Sequence, residues 1–243
     1  MTKIVIKNLG LYCGGRWLFR HLNLEIAAGD FLAVVGPSGA GKSSFLACLA
    51  GLCRPTEGTI VYHKPDDSCK SANGSSIDDT GLSPHHFRTH IGILFQNLLL
   101  TESRTALDNV LCGRLHRLPF IRTLFGFPAE FKQEAFDLLY DLGLEGCCHR
   151  PVREISGGEC QRVALARTLF QNPSFLLADE PVAQLDAYLT GRVLGILKLQ
   201  STRYGKTVLC VLHNQELVAR FADNVLSFNP HHPDQWKLRS IKT

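Results

Sequence analysis

Phe31-Leu-Ala-Val-Val35 runs directly into Gly36-Pro37-Ser38-Gly39-Ala40-Gly41-Lys42-Ser43-Ser44, and the reading of this stretch decides the fold. An unbroken apolar run suits a strand covered on both faces. The segment after it satisfies G-x-x-x-x-G-K-[ST], the pattern of a phosphate-binding loop. Its glycines let the backbone wrap an anion with no Cβ in the way, so that successive N–H groups and the next helix start point at phosphate. Lys42 is then expected to reach the β and γ phosphates, and Ser43 to offer a hydroxyl to Mg²⁺, which prefers oxygen ligands. Ser43 to Leu52 is compatible with a helix that stops at Gly51, with Pro55 just beyond. The competing reading is a glycine-rich turn without chemistry, against which the flanking strand and helix argue.

Upstream, Ile4-Val5-Ile6 and Leu22-Asn-Leu-Glu-Ile26 alternate with polar neighbours around Gly14-Gly15, which predicts an antiparallel ribbon. Tyr12 and Trp17 lie on it. Downstream, Phe131, Ala135, Phe136, Leu138, Leu139 and Leu142 form a helical stripe ended by Gly143. Phe175 to Ala178 and Thr207 to Leu212 are strand-like, and a helical Leu189 to Leu199 separates them. That order predicts parallel strands with crossover helices. Pro65 to His85 is rich in Ser, Asp, Asn and Gly without apolar period and reads as a solvated surface loop. No repeat appears, and nothing resembling a second domain follows Leu212.

Composition narrows the function. A chain of 243 residues with 45% hydrophobic and 20% charged residues fits a single packed domain rather than a disordered or fibrous chain. The net charge of +4 is too small to argue for nucleic-acid binding without a clustered patch. Nine cysteines are scattered with no C-x-x-C pair, unlike a zinc or redox motif. Lys3 and Lys7 break the opening apolar residues, which argues against a signal-peptide core and for a reducing cytoplasmic setting. No run approaches the roughly 18 apolar residues of a spanning helix, so a membrane role is expected to come through a partner.

Two further segments carry chemistry. Phe175-Leu-Leu-Ala-Asp179-Glu180 puts carboxylates at the end of an apolar strand. Asp179 suits a metal-bound water, and side-chain alternation turns Glu180 away from it, toward an attacking water as general base. An acidic cap on the next helix is the alternative. Ile155-Ser156-Gly157-Gly158-Glu159 precedes a helical run from Cys160 to Phe170, with Ser156 placed as N-cap. Alone it reads as an ordinary capped helix.

Together these elements resemble the ATPase subunit of ATP-binding-cassette transporters over nearly the whole chain. Ser156 to Glu159 with Gln161-Arg162 resembles the family signature, with Glu159 where Gln is usual. The resemblance implies a phosphate-loop NTPase core of RecA-like α/β type with an N-terminal antiparallel β-subdomain and a helical, signature-bearing subdomain. It implies one ATPase domain over 1–243, with the helical part at about 97–170 and the polar insertion at about 65–85. It implies ATP and Mg²⁺ as cofactors, held by Gly36 to Ser44 and by Ser43, Gln96 and Asp179. Gln96 resembles the glutamine that senses Mg²⁺ and the transmembrane partner, His213 the switch histidine at the γ-phosphate, and Asp186 the retained residue of the coupling loop in which Ala183 replaces the common Ser. Asn214 stands for the usual Asp after the histidine. An aromatic at Tyr12 would stack on adenine, with Trp17 as its competitor. The signature would act in trans, completing a head-to-tail dimer around two ATP molecules.

The stretch from Asp108 to Gly126, with Ala178 to Ala183, Leu212-His213 and Ala222-Asp223, is similar to phosphonate-import ATPases. It implies a peripheral subunit on the cytoplasmic face of the cell membrane, driving permease subunits and served indirectly by a periplasmic or extracellular substrate-binding protein. Leu118 to Phe127 would help form the groove for a permease helix. The mechanism implied is dimer closure on ATP, in-line attack of a water oriented by Glu180, and reopening. An exporter or lipoprotein-release ATPase shares every nucleotide motif, and a non-transport dimerising switch is the third reading.

Overall fold

The computed structural model describes residues 3–63, 89–118 and 126–241. In chain order the first elements are β1 (Lys3–Cys13), β2 (Arg16–Ile26), β3 (Phe31–Val35), α1 (Lys42–Leu49) and β4 (Glu57–His63). Strand β1 pairs antiparallel with β2 and β4 in a three-stranded sheet. The register sets Ile4 opposite Ile26 and Ile6 opposite Leu24, all buried, while Lys3 and Glu25 stay outside. Alternating apolar residues therefore pack one face, as a half-solvated antiparallel sheet requires.

The remaining elements are β5 (Ile91–Leu94), α2 (Ala106–Leu111), α3 (Ala129–Asp141), α4 (Gly157–Phe170), β6 (Phe175–Ala178), α5 (Ala187–Thr202), β7 (Thr207–Val211), α6 (Gln215–Phe221), β8 (Asn224–Ser227) and β9 (Lys237–Ser240). The second sheet runs β5-β6-β7-β3-β8-β9, parallel except for β9. Period-two alternation along its strands sorts them into two cores. Phe31, Ala33, Leu176, Ala178 and Val208 face the helical side. Leu32, Val34, Leu177, Leu209 and Val211 face α1 and the three-stranded sheet. This is why β3, β6 and β7 read as unbroken apolar runs. The carboxyl ends of β3, β5, β6 and β7 lie side by side, the edge at which open parallel sheets bind ligands.

Helices α1, α3, α4 and α5 overlap the expected ones, and Gly51 and Gly143 follow α1 and α3 with φ of +66° and +67°. Beyond Leu212, where the sequence showed no strand, β8 and β9 extend the same sheet past β3. The insertion at 65–85 and most of Leu118 to Phe127 fall outside the described residues.

Candidate nucleotide site

The phosphate loop leaves β3 and closes on α1. Gly36 has φ +148°, and a Cβ there would lie 2.9 Å from the Phe228 carbonyl oxygen, so only glycine fits. Gly41 caps α1 at φ +93°, with no side-chain cap and no acidic residue in the first turn, which leaves the helix start suited to an anion. Pro37, Ser38 and Gly39 form the exposed crest, while Ala40 is buried beneath. The Lys42 ammonium donates to the carbonyls of Gly36 at 2.9 Å and Pro37 at 3.0 Å. Ser43 is exposed and Ser44 half-buried at the start of α1. From the ribbon, Arg16 donates to the Gly39 carbonyl at 3.1 Å, a contact the motif does not announce.

The acidic residues emerge from β6. Burial pushes the Asp179 carboxyl up, and Glu180 adds to this, while Ser43, Lys42 and His213 pull it back. Its Oδ1 is buried without a hydrogen-bond partner, an oxygen that a metal ion or its water would satisfy. Among the described residues no three His, Cys, Asp or Glu cluster to hold a metal. The carboxylate of Asp179 and the hydroxyl of Ser43, with the amide oxygen that Gln96 can add from past β5, are oxygen donors that suit Mg²⁺ completed by phosphate and water. Strand β6 ends at Ala178, and Glu180 adopts φ +52°. Glu180 is therefore aimed by a left-handed turn and not, as alternation along an extended strand predicts, by a pleat. Its Oε1 lies 2.7 Å from His213 Nε2, just past β7, and Gln161 donates to its backbone carbonyl at 3.1 Å. Beside the pair opens a cavity of about 170 Å³, lined also by Ala183, Thr190 and Asn214, room for a few waters. Gln96 is exposed past β5, whose Leu94 pairs with Ala178 of β6. Asn214 caps α6 by accepting from the N–H groups of Glu216 and Leu217 at 2.8 and 3.3 Å, a capping role that Asn and Asp fill alike.

Ser156 caps α4 in a reciprocal box. Its Oγ accepts from the Glu159 N–H at 3.3 Å, and its own N–H and hydroxyl donate to Glu159 Oε2 at 2.7 Å each. These bonds, the backbone one first, hold the Glu159 carboxyl below the usual range, with Arg162 and Arg150 adding to the effect. Glu159 therefore closes the box from the third position of α4. Gly157 and Gly158 lie against the loop after β6: a Cβ would stand 3.0 Å from Gln184 Oε1 at the first and 3.4 Å from Leu185 Cδ2 at the second. Asp186 caps α5 by accepting from Leu189 N–H at 2.8 Å. Tyr12 is 49% exposed and meets Trp17 edge to face at 5.4 Å, while the Arg20 guanidinium covers Trp17 at 4.4 Å. Gln161 is the residue whose role sequence reasoning missed; its signal was a polar residue on the apolar face of a helix.

Phosphate loop, orphaned carboxylate oxygen and Glu180–His213 pair define a nucleoside-triphosphate hydrolase built on a parallel sheet. The ABC transporter family model matches residues 19–183, and the chain belongs to this family, as its ATP-binding and ATP-hydrolysing subunit. It is similar to the phosphonates import ATP-binding protein PhnC 2 of Oceanobacillus iheyensis, 34% identical over 93% of this chain and 86% of that one. The corresponding protein PhnC of Lactobacillus johnsonii is 38% identical over 92% of this chain and 85% of its own length. The hypophosphite import ATP-binding protein HtxD of Stutzerimonas stutzeri is 37% identical over 91% of this chain and 62% of its own. Among solved structures, dimeric MJ0796 in a post-hydrolysis state with ADP and Pi matches with a TM-score of 0.80 at 26% identity, covering 99% of both chains. A second dimeric MJ0796 structure, of a bacterial ABC transporter cassette, matches with 0.79 at 28%, again over 99% of both. ATPase subunits of this family are peripheral to the membrane and work with membrane permeases as dimers. No helix among the described residues is long and apolar enough to cross a membrane.

Proposed function

We propose that the chain is the ATPase subunit of an importer for a phosphonate or a related phosphorus oxyanion. The relatives' names support the substrate class, and they favour it over export or lipoprotein release. The observation that carries the site is the buried, unpartnered Asp179 Oδ1 on the carboxylate that Ser43 adjoins. In this reading Gly36 to Ser44 bind the phosphates of ATP, Tyr12 offers its exposed ring to adenine, and Ser43, Gln96 and Asp179 hold Mg²⁺. Mg²⁺, when bound, neutralises charge on the β and γ phosphate oxygens. Glu180 orients and deprotonates the attacking water, and His213, hydrogen-bonded to it, fixes the carboxylate and turns to the γ-phosphate. Ser156 to Glu159 complete the site of a second, identical subunit, and Asp186 lies on the loop coupling the two.

The domain division proposed is a single ATPase domain over 1–243 with its helical part at about 97–170. Exposed Leu99 and Leu115, at 65% and 43%, support a permease contact on that part. The subunit would sit on the cytoplasmic face of the membrane, with a substrate-binding protein reaching it only through the permease. The test is ATPase activity of the complex reconstituted with its permease and binding protein. Turnover should rise with a phosphonate or hypophosphite present, and Glu180→Gln should lower it by about 10²- to 10⁴-fold with ATP binding kept. Stimulation by none of these oxyanions would overturn the substrate class, and wild-type turnover in the variant would overturn the base.

A further inference from the structure

Gln161 lies on the buried face of α4 among Val163, Ala164 and Leu165, and is 6% exposed. A polar residue at such a position costs free energy unless its amide is used. One end is used: Nε2 donates to the Glu180 carbonyl at 3.1 Å, while Oε1 has no partner. Only the nitrogen end can face a carbonyl oxygen, so the amide's orientation is fixed by its acceptor. That acceptor belongs to a residue with a Cβ held at φ +52°, a conformation that persists only where the surroundings enforce it.

Glu180 is held at both ends. Its carbonyl accepts from Gln161 and, at 3.3 Å, from the Ala183 N–H, and its carboxylate meets His213 at 2.7 Å. The first turn of α4 touches the same loop further along, Gly157 against Gln184 and Gly158 against Leu185. Three residues in the first two turns of one helix, Gly157, Gly158 and Gln161, thus rest on the segment that begins with Glu180. A shift of α4 along or about its axis moves the donor that sets the turn.

We infer that Gln161 is a positioning residue: its amide holds the Glu180 main chain in the left-handed turn and so ties the placement of α4 to the aim of the base on the same chain. This rests on the reading of Glu180 as the base and of Ser156 to Glu159 as the contact to a second subunit's ATP. Under that reading, the helix that engages one nucleotide sets the base acting on the other. Gln161 touches no substrate; it acts through Glu180.

The experiment compares steady-state ATP turnover of the full-length chain with that of Gln161→Met, Gln161→Glu and Lys42→Ala. Met keeps the length, removes the donor and removes the orphaned oxygen, so the thermal midpoint should stay level or rise. The Michaelis constant for ATP should stay within about 3-fold while kcat falls about 10- to 100-fold, the scale of a misplaced reacting group. Glu at this buried position has its pKa raised and donates only when protonated. The kcat of Gln161→Glu relative to Gln161→Met should therefore climb several-fold from about pH 8.5 to about pH 6. A residue that only fills space gives a flat ratio. Wild-type kcat in Gln161→Met, equal loss of kcat and ATP affinity, or a flat ratio overturns the inference. If the wild-type chain turns over no faster than Lys42→Ala, the reading of the site falls, and this inference with it; if it does turn over and Gln161→Met matches it, only the role of Gln161 is lost.

Discussion

Asp179 shows what a single residue can be asked to give up for a ligand. Burial, with Glu180 beside it, raises its carboxyl above the ordinary value, and one of its oxygens is unpaired. A carboxyl with a raised folded-state pKa contributes stability below its unfolded pKa of about 3.9 and loses it as pH rises through the folded value. Ionised Asp179 is therefore a cost at neutral pH when no cation neutralises it. Asp179→Asn should raise the thermal midpoint of the nucleotide-free protein at pH 7 by a few degrees, with the gain shrinking as pH falls toward about 4. Calorimetry across that range checks it, and a lowered midpoint at pH 7 would show that the oxygen is already satisfied. The same substitution should cost ATP turnover, the usual trade between stability and a built site. Asp179, Lys42 and Ser43 were legible because their spacing and their place after an apolar strand are local. The geometry of Glu180 was not legible, because its φ of +52° depends on Gln161, which sits on a different element.

At the scale of elements, strands buried on both faces announce themselves and edge strands do not. β6 and β7 are buried at every position, and their apolar runs name them. β9 is exposed at all four positions, and β8 has only two adjacent buried residues between polar Asn224 and Ser227, so neither shows a period. What fixes β8 against β3 is Asp223, just before it. Its carboxylate accepts from the Phe31 N–H at 2.9 Å and from Lys198 of α5 at 2.6 Å, and its own N–H donates to the Phe31 carbonyl at 2.8 Å. Asp223 is 4% exposed. In the sequence this residue counted only toward a resemblance; in the fold it joins β3, α5 and β8. Truncating one partner of a buried charge pair leaves the other uncompensated, so Asp223→Ala should lower the unfolding free energy by about 3–5 kcal/mol in denaturant titrations. A change within about 0.5 kcal/mol, the range of an ordinary surface substitution, would mean that water replaces the carboxylate there. The capping box lay between these cases: Ser156 was readable as an N-cap, whereas the bonds by which Glu159 returns to Ser156 appear only in the fold.

For the molecule as a whole, the chain carries two kinds of anion-facing surface. One is the phosphate loop; the other, under the function proposed above, is the exposed start of α4, where the hydrogen bonds of Ser156 are to Glu159 and reach no part of that loop. In the head-to-tail dimer proposed above, ATP should be the adhesive and hydrolysis the release, so slowing hydrolysis should accumulate dimer. Light scattering on Glu180→Gln should find a species of twice the chain's mass when ATP is added and the single chain without it. Gly158 offers the complementary change. It is at the second position of α4, has no positive φ, and a Cβ would stand 3.4 Å from Leu185, an ordinary contact, so the chain itself can accept a side chain there. Asp near a helix start is moreover favoured by the helix dipole. Against a γ-phosphate from a second chain the same carboxylate is a like charge at close range, which is strongly unfavourable where water is excluded. Glu180→Gln combined with Gly158→Asp should therefore fold, keep its thermal midpoint, bind ATP at its own loop and remain a single chain. A dimer that survives this charge would move the second contact away from α4, and a Glu180→Gln protein that never dimerises with ATP would show that its partner ATPase is a different chain.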